Sequence, residues 1–135
     1  MNKNFLTLIV ATCALSTACG APLFRTPNER FAPAPEVIEA LEPYLADWAT
    51  LPPDETEAQR KEIASQIEGV WWISVAPQPI KSDGEPVYVV DIGLDGWGDW
   101  TRGYLYVHDG SDLEEYPGLR LRRVSEYLYI YNRNW

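Results

Sequence analysis

Cys19 is the side chain with the clearest chemistry in the chain, because of what surrounds it. Lys3 and an apolar run over residues 5–14 precede it, and small residues lie directly before it. A short cationic start, an apolar stretch of about 7–15 residues and small residues at a cleavage point are typical of a secretory signal peptide. The run is too short to cross a hydrocarbon core of about 30 Å as a mature helix. We therefore expect residues 1–18 to be removed as a signal peptide, and Cys13 to leave with them.

The segment Leu15–Gly20 resembles the lipobox of bacterial lipoproteins, in which the cysteine that becomes the new N-terminus is lipidated. Ala18 and Gly20 fit that pattern, whereas Ser16 stands where an aliphatic residue is usual. The resemblance implies two acyl chains on a glyceryl thioether at Cys19 and usually a third on its amine, enough for stable anchoring. Gly20, in place of an aspartate, implies the outer membrane, with the domain facing the periplasm. The alternative is an ordinary signal peptide, cut at the same point, that leaves a free thiol.

Length and charge limit what the mature chain can be. Removing residues 1–18 leaves 117 of the 135 residues, enough for one domain with a single core. Lys3 is the only charged residue lost, so the net charge changes from −9 to −10. A phosphate backbone would repel such a chain, and its nearest approach to a basic patch is Arg120, Arg122 and Arg123. We expect no nucleic-acid partner and a membrane contact through the lipid anchor.

The side chains that could support catalysis or metal binding do not form a recognisable motif. His108 is the only histidine, which excludes the two-histidine zinc motif, and no serine lies in a Gly-x-Ser-x-Gly elbow. Three aspartates in the segment 91–102 have part of the spacing of an EF-hand loop, but Gly93 and Arg102 stand where two ligands are needed. We expect no enzymatic activity, no cofactor and no metal site. A pair of carboxylates acting as in glycosidases stays open.

Proline-rich sequence separates the proposed anchor from the domain. Four prolines within residues 19–35 indicate an extended tether, with a reach on the order of 50 Å at about 3.1 Å per residue. The alternative is that Phe24 and Phe31 fold back onto the domain. We expect the single folded domain to span residues 36–135.

Hydrophobic periodicity predicts an α+β fold for this domain. A period of 3.6 predicts a helix over Glu36–Ala49, kinked or divided at Pro43, and a second helix that begins with a capping box at Asp54 and ends near Glu68. From Val70 the period is 2. The predicted strands are Val70–Ala76, Val87–Ile92, Gly103–His108 and Tyr127–Arg133, with Leu119–Val124 as a further candidate. One or two N-terminal helices should therefore pack on a four- to five-stranded antiparallel meander.

Aromatic residues alternate with aliphatic residues in two of these strands, and this pattern suggests a binding face. If the aliphatic residues pack beneath the helices, five tyrosines project to the opposite face: Tyr104, Tyr106, Tyr127, Tyr129 and Tyr131. Trp97 and Trp100 lie in a glycine-rich loop where an exposed ring would contact a ligand. Tyrosine is enriched at protein interfaces, although cross-strand tyrosine pairs also stabilise a sheet without any partner.

The sequence therefore predicts a membrane-anchored, non-enzymatic binding or structural component of the bacterial cell envelope. The preferred partner is an envelope protein bound at the tyrosine face and the Trp97/Trp100 loop. Two alternatives are a glycan bound by the same rings, and a role as an acidic inhibitor or immunity-type protein against a basic enzyme.

Overall fold

A computed structural model describes residues 33–97 and 99–134, and it confirms the α+β fold. Cys19, the signal segment and all but the last residues of the predicted tether lie outside the described residues. Two helices, α1 and α2, are followed by five antiparallel strands. Their bounds are α1 Pro35–Thr50, α2 Pro53–Gln66, β1 Trp72–Gln78, β2 Val87–Trp97, β3 Trp100–Tyr106, β4 Leu119–Ser125 and β5 Leu128–Asn134. Neither helix is long and apolar enough to span a membrane.

Helix α1 is a single helix held against the sheet by one apolar stripe. Val37, Leu41, Leu45 and Trp48 are buried, as their spacing predicts. The helix continues through Pro43, so the predicted division into two turns is not observed. Pro43 is exposed and lies away from the stripe. A proline inside a helix costs about 3 kcal/mol, which burial of the large stripe residues, at about 1.5–3 kcal/mol each, offsets.

Helix α2 covers the outer strand β1 with few apolar residues. The predicted capping box at Asp54 does not form, because the helix begins at Pro53 with no side-chain cap. A proline at the first position already has the φ that a helix requires. The side chain of Arg60 is buried, and its Nη1 donates a hydrogen bond to the carbonyl oxygen of Ile73 at 3.1 Å. Arg60 thus occupies a backbone acceptor of β1, the strand at this edge of the sheet.

The order of strands in the sheet is β1-β2-β3-β5-β4, so the sheet departs from a sequential meander at its last two strands. The chain places β4 at the edge and returns to insert β5 beside β3. The sequences of the two strands explain the exchange. Three arginines of β4 remain exposed at the edge, whereas β5 buries Tyr129, Ile130 and Tyr131 on its two faces. The C-terminal strand is therefore interior and has no free edge for another molecule.

Both faces of the sheet are covered. The helices pack on one face over a core that includes Leu41, Trp48 and Ile92. On the other face, called here the loop face, a second core includes Leu105 and Leu113. The connections on that side meet at an isolated bridge between Ile80 and Leu113. The central strands are buried on both faces of the sheet, so the alternation of residue types along them does not show which side chains point to which core.

Two glycines on the loop face allow aromatic rings to lie flat on the sheet. A Cβ atom at Gly93 would lie 2.3 Å from the ring of Trp72. A Cβ atom at Gly103 would lie 2.7 Å from the ring of Tyr131 and 2.3 Å from the carbonyl oxygen of Ile92. Gly93 and Gly103 oppose each other in β2 and β3. The ring of Trp72, from β1, therefore lies over β2, and the ring of Tyr131, from β5, lies over the neighbouring β3.

We expect Gly103→Ala to lower the free energy of unfolding by about 2 kcal/mol, because a methyl group there would displace a backbone carbonyl and a buried ring. Denaturant titration measures the change. Gly84→Ala is the control, since the nearest atom to its Cβ would be 3.4 Å away, and it should stay within about 0.5 kcal/mol of the wild type. Equal stability of the two variants would contradict close packing at Gly103.

Candidate functional site

The tyrosines of β3 and β5 lie on opposite faces of the sheet. Tyr104 opposes Ile130, and Leu105 opposes Tyr129. Directly opposed residues of an antiparallel pair project to the same side, so the tyrosines of β3 face the helices and those of β5 belong to the loop-face core. The prediction of one exposed face that holds five tyrosines is therefore wrong. The pairing register, which the sequence does not reveal, causes the difference.

Burial removes four of the predicted contact residues from the surface, namely Trp100, Tyr104, Tyr129 and Tyr131. The hydroxyl groups of the three tyrosines have partners within the chain. The Tyr104 hydroxyl accepts a hydrogen bond from the N–H of Ala34 at 2.6 Å, and the Tyr129 hydroxyl accepts one from the N–H of Leu113 at 3.1 Å. The first bond holds the segment before α1 against β3, and the second holds the connection between β3 and β4 against β5. These tyrosines are structural in this arrangement, and Tyr106 and Tyr127 are the two that reach solvent.

The predicted Trp97/Trp100 loop is a hairpin whose strands extend almost to its tip. Trp97 pairs with Trp100 across β2 and β3. Trp100 is 4% exposed, so the expectation that it projects from a loop is wrong, and the alternative of packing against the sheet holds for it. The structure describes the backbone of Trp97 but not its side chain, so contact between that ring and a ligand stays a prediction.

Two of the three aspartates in this segment, Asp91 and Asp95, have partners within the chain, whereas Asp99 is exposed. Asp91 is 8% exposed, and Asp95 forms an ion pair with Arg102, with Oδ1 3.0 Å from Nε. A bulge between Gly93 and Asp95 turns Asp95 towards Arg102. Among the described residues, no group of three or more His, Cys, Asp or Glu side chains could hold a metal ion.

Asp91 is the centre of a buried polar cluster that the sequence did not predict. Its Oδ1 accepts hydrogen bonds from the Tyr131 hydroxyl at 2.7 Å and from Nε1 of Trp72 at 3.3 Å. Its Oδ2 lies 3.4 Å from Nη1 of Arg133, whose guanidinium stacks on the ring of Tyr131 at 4.6 Å. The Asp91 cluster, defined as these four residues, therefore connects β1, β2 and β5.

The electrostatics of the Asp91 cluster favour a structural role. Burial raises the pKa of Asp91, whereas the hydrogen bond from Tyr131 and the charge of Arg133 oppose that shift. Burial and the neighbouring Asp91 raise the pKa of Tyr131 far above its ordinary value, so its hydroxyl remains a proton donor. Perturbed pKa values occur both at active sites and in structural ion-pair networks. The three donors converge on the carboxylate from within the chain.

A groove between α1 and the sheet contains the two predicted tyrosines that reach solvent. The α1 groove has a volume of about 200 Å³. Ile38, Leu45 and Leu128 contribute apolar surface, while Glu42, Tyr106 and Tyr127 contribute polar groups. A largely apolar cleft with a few convergent polar groups is the usual form of a binding site.

The polar groups of the α1 groove influence one another. Burial raises the pKa of Tyr106, and the nearby Glu42 and Tyr127 reinforce the shift. The Tyr106 hydroxyl lies 3.1 Å from Nδ1 of His108. His108 lies outside the lining of the groove and contacts it through the hydroxyl of Tyr106. The rim carries phenol groups and one carboxylate, which suits a partner that combines an apolar side chain with a basic group.

The helical layer is the most acidic part of the described structure. Helices α1 and α2 carry eight acidic side chains, and all eight are exposed: Glu36, Glu39, Glu42, Asp47, Asp54, Glu55, Glu57 and Glu62. Their two basic residues are Arg60 and Lys61, of which Arg60 is buried. The charge of the chain is therefore concentrated on the side of the sheet where the α1 groove opens.

The chain has no match among known protein families, curated proteins or solved structures.

Proposed function

We propose that this chain is a lipid-anchored, non-enzymatic binding domain of the bacterial cell envelope. Its proposed partner is a basic envelope protein that inserts an apolar side chain into the α1 groove. The proposed anchor is Cys19, and the outer membrane is its proposed location. The resemblance of Leu15–Gly20 to a lipobox supports both.

The observation that carries the binding role is the position of the α1 groove within an acidic surface. Two tyrosines and the carboxylate of Glu42 border an apolar floor, and Glu36, Glu39 and Asp47 are exposed on the same helix. Aromatic residues are enriched at protein interfaces, and complementary charge steers a partner to its site. Of the five tyrosines predicted to form a binding face, Tyr106 and Tyr127 are the two that line this groove.

Photo-crosslinking from inside the groove tests this proposal. Placing a photoreactive phenylalanine analogue at Tyr127 should give a protein adduct in intact cells. The same analogue at Tyr88 should not give that adduct, although Tyr88 is more exposed, at 54% against 42%. Tyr88 lies near the C-terminal end of α1, next to Ala49 and Thr50, and does not line the groove. Mass spectrometry of the adduct should identify one envelope protein with a basic contact segment.

Glu42→Gln should reduce the yield of this adduct about threefold to tenfold, because it removes the charge at the rim without changing its shape. Glu39→Gln is the matched control, since Glu39 is exposed on the same helix but does not line the groove. Equal yields from positions 127 and 88, or an adduct with a saccharide instead of a protein, would contradict the proposal.

A further inference from the structure

The second edge of the sheet, strand β4, differs from the protected edge at β1. Strand β1 contains Pro77, and Arg60 of α2 covers one of its carbonyl groups. No strand pairs with the outer side of β4, although Tyr116 forms an isolated bridge with Leu119 there, and the strand is exposed from Arg122 to Ser125. An extended segment can add to such an edge through backbone hydrogen bonds.

The start of this edge has partners within the chain, since the N–H of Leu119 donates to the carbonyl oxygen of Tyr116 at 2.8 Å and Nη1 of Arg120 donates to the carbonyl oxygen of Leu119 at 3.3 Å. The next backbone donor along the edge is held by a side chain. The N–H of Leu121 donates a hydrogen bond to Oε2 of Glu115 at 2.8 Å. Glu115 is exposed and lies in the connection before β4. A carboxylate oxygen therefore occupies the position that the backbone carbonyl of an added strand would take. Such a contact is easily replaced, because an exposed side chain can move without disturbing the fold.

A pocket lies beside this donor on the loop face. Its volume is about 310 Å³, and Leu113, Leu121 and Tyr129 supply its apolar surface. The rest of its lining is charged, namely Lys81, Asp112, Glu115 and Arg123, of which Asp112 and Arg123 form an ion pair. In an added strand, the residue opposite Leu121 would project to this face. The pocket is therefore placed to receive one apolar side chain of the added segment.

The arginines of β4 determine the charge of such a segment. Arg120 and Arg122 oppose Asn132 and Ile130, and they project to the face opposite that of Leu121. Two copies of β4 paired with each other would bring these like charges together, which disfavours self-association. An added strand with acidic residues at the same positions would gain opposite-charge pairs instead.

We propose that β4 is a strand-addition site for an extended acidic segment of a partner protein. This segment has acidic residues at alternate positions, opposite Arg120 and Arg122, and an apolar residue between them that enters the pocket. Glu115 occupies the site in the free protein, and binding displaces it from Leu121. Ser125 at the end of β4 lines the α1 groove, but Glu115, Leu121 and the pocket on the loop face do not, so separate substitutions test the two sites.

A fluorescent peptide with the sequence Asp-Val-Asp-Val-Asp, and a lysine peptide with the sequence Lys-Val-Lys-Val-Lys, test this site with the full chain purified in detergent. Fluorescence anisotropy should show binding of the acidic peptide and not of the lysine peptide. Hydrogen exchange should slow at the amide of Leu121 when the acidic peptide is bound. Absence of binding, equal binding of both peptides, or unchanged exchange at Leu121 would each overturn the proposal.

Two variants distinguish strand addition from attraction by charge alone. Glu115→Ala should raise the affinity for the acidic peptide about fivefold, since a competing occupant reduces the apparent affinity by the fraction of free sites. Arg120→Glu should lower it about tenfold, whereas Lys61→Glu, the same change of charge on α2, should leave it within about twofold. An unchanged or lower affinity of Glu115→Ala, or equal effects of Arg120→Glu and Lys61→Glu, would overturn the proposal.

Discussion

Replacing Asp91 by alanine should lower the free energy of unfolding by about 3–4 kcal/mol, measured by denaturant titration. The substitution leaves the buried hydroxyl of Tyr131 without its acceptor at 2.7 Å and removes the ion-pair partner of Arg133. A buried donor without a partner costs about 1–3 kcal/mol. Asp83→Ala, in an exposed turn, is the control and should stay within about 0.5 kcal/mol of the wild type.

Asp91→Asn should separate the charge of Asp91 from its hydrogen bonds. Burial raises the pKa of Asp91 above its ordinary value of 3.8, so the folded state holds this proton more tightly than the unfolded chain does. The contribution of Asp91 to stability is therefore largest below pH 3.8 and falls as the pH rises towards the folded-state pKa. The asparagine variant should lack this fall, and a pH series of unfolding titrations compares the two proteins. Parallel curves above pH 3.8 would contradict a raised pKa.

The helices and strands could be predicted from the sequence because hydrophobic periodicity depends on residues that are close together in the chain. The stripe Val37, Leu41, Leu45 and Trp48 is buried in α1, and α2 ends shortly before the left-handed Gly69. Alternation identified all five strands, although β2 continues to Trp97, beyond its predicted end at Ile92, and β3 begins at Trp100, before its predicted start at Gly103. Alternation did not predict the order of the strands in the sheet. The positions of β4 at the edge and β5 in the interior depend on which of the two strands has side chains that can remain exposed to solvent.

The binding surface was less predictable because it depends on register. Tyrosine alternation correctly placed Tyr104 and Tyr106 on one side of β3, and Tyr129 and Tyr131 on one side of β5. The relation between the two strands follows from the pairing of Leu105 with Tyr129. A shift of this pairing by one residue would have placed the tyrosines of both strands on the same face of the sheet.

The Asp91 cluster was missed because its contacts are distant in sequence. Asp91 and Tyr131 are 40 residues apart, and neighbouring glycines made Asp91 resemble a solvated loop residue. Those glycines have a packing role, since Gly93 and Gly103 make room for the rings of Trp72 and Tyr131. A glycine directly after the predicted strand Val87–Ile92 and another at the start of the predicted strand Gly103–His108 were the signal in the sequence that could have indicated rings lying on the sheet.

Cys19→Ala should abolish acylation of the chain and release it from the membrane. The thiol of Cys19 is the proposed attachment point of two acyl chains, and each buried methylene contributes about 0.8 kcal/mol to membrane affinity. Without those chains, the exposed acids of the helical layer would be repelled by anionic headgroups. Labelling with radioactive palmitate, followed by separation of membrane and soluble fractions, measures both effects.

Cys13→Ala is the matched control for this experiment. Cys13 lies six residues earlier, within the segment expected to be removed, so its substitution should leave labelling and membrane association unchanged. An ordinary signal peptide predicts the opposite result for the wild type, namely a soluble, unlabelled chain whose N-terminal Cys19 thiol reacts with maleimide. Loss of labelling in Cys13→Ala and not in Cys19→Ala would move the anchor to Cys13. Labelling of wild type and Cys13→Ala, but not of Cys19→Ala, would support the anchor on which the proposed envelope function depends.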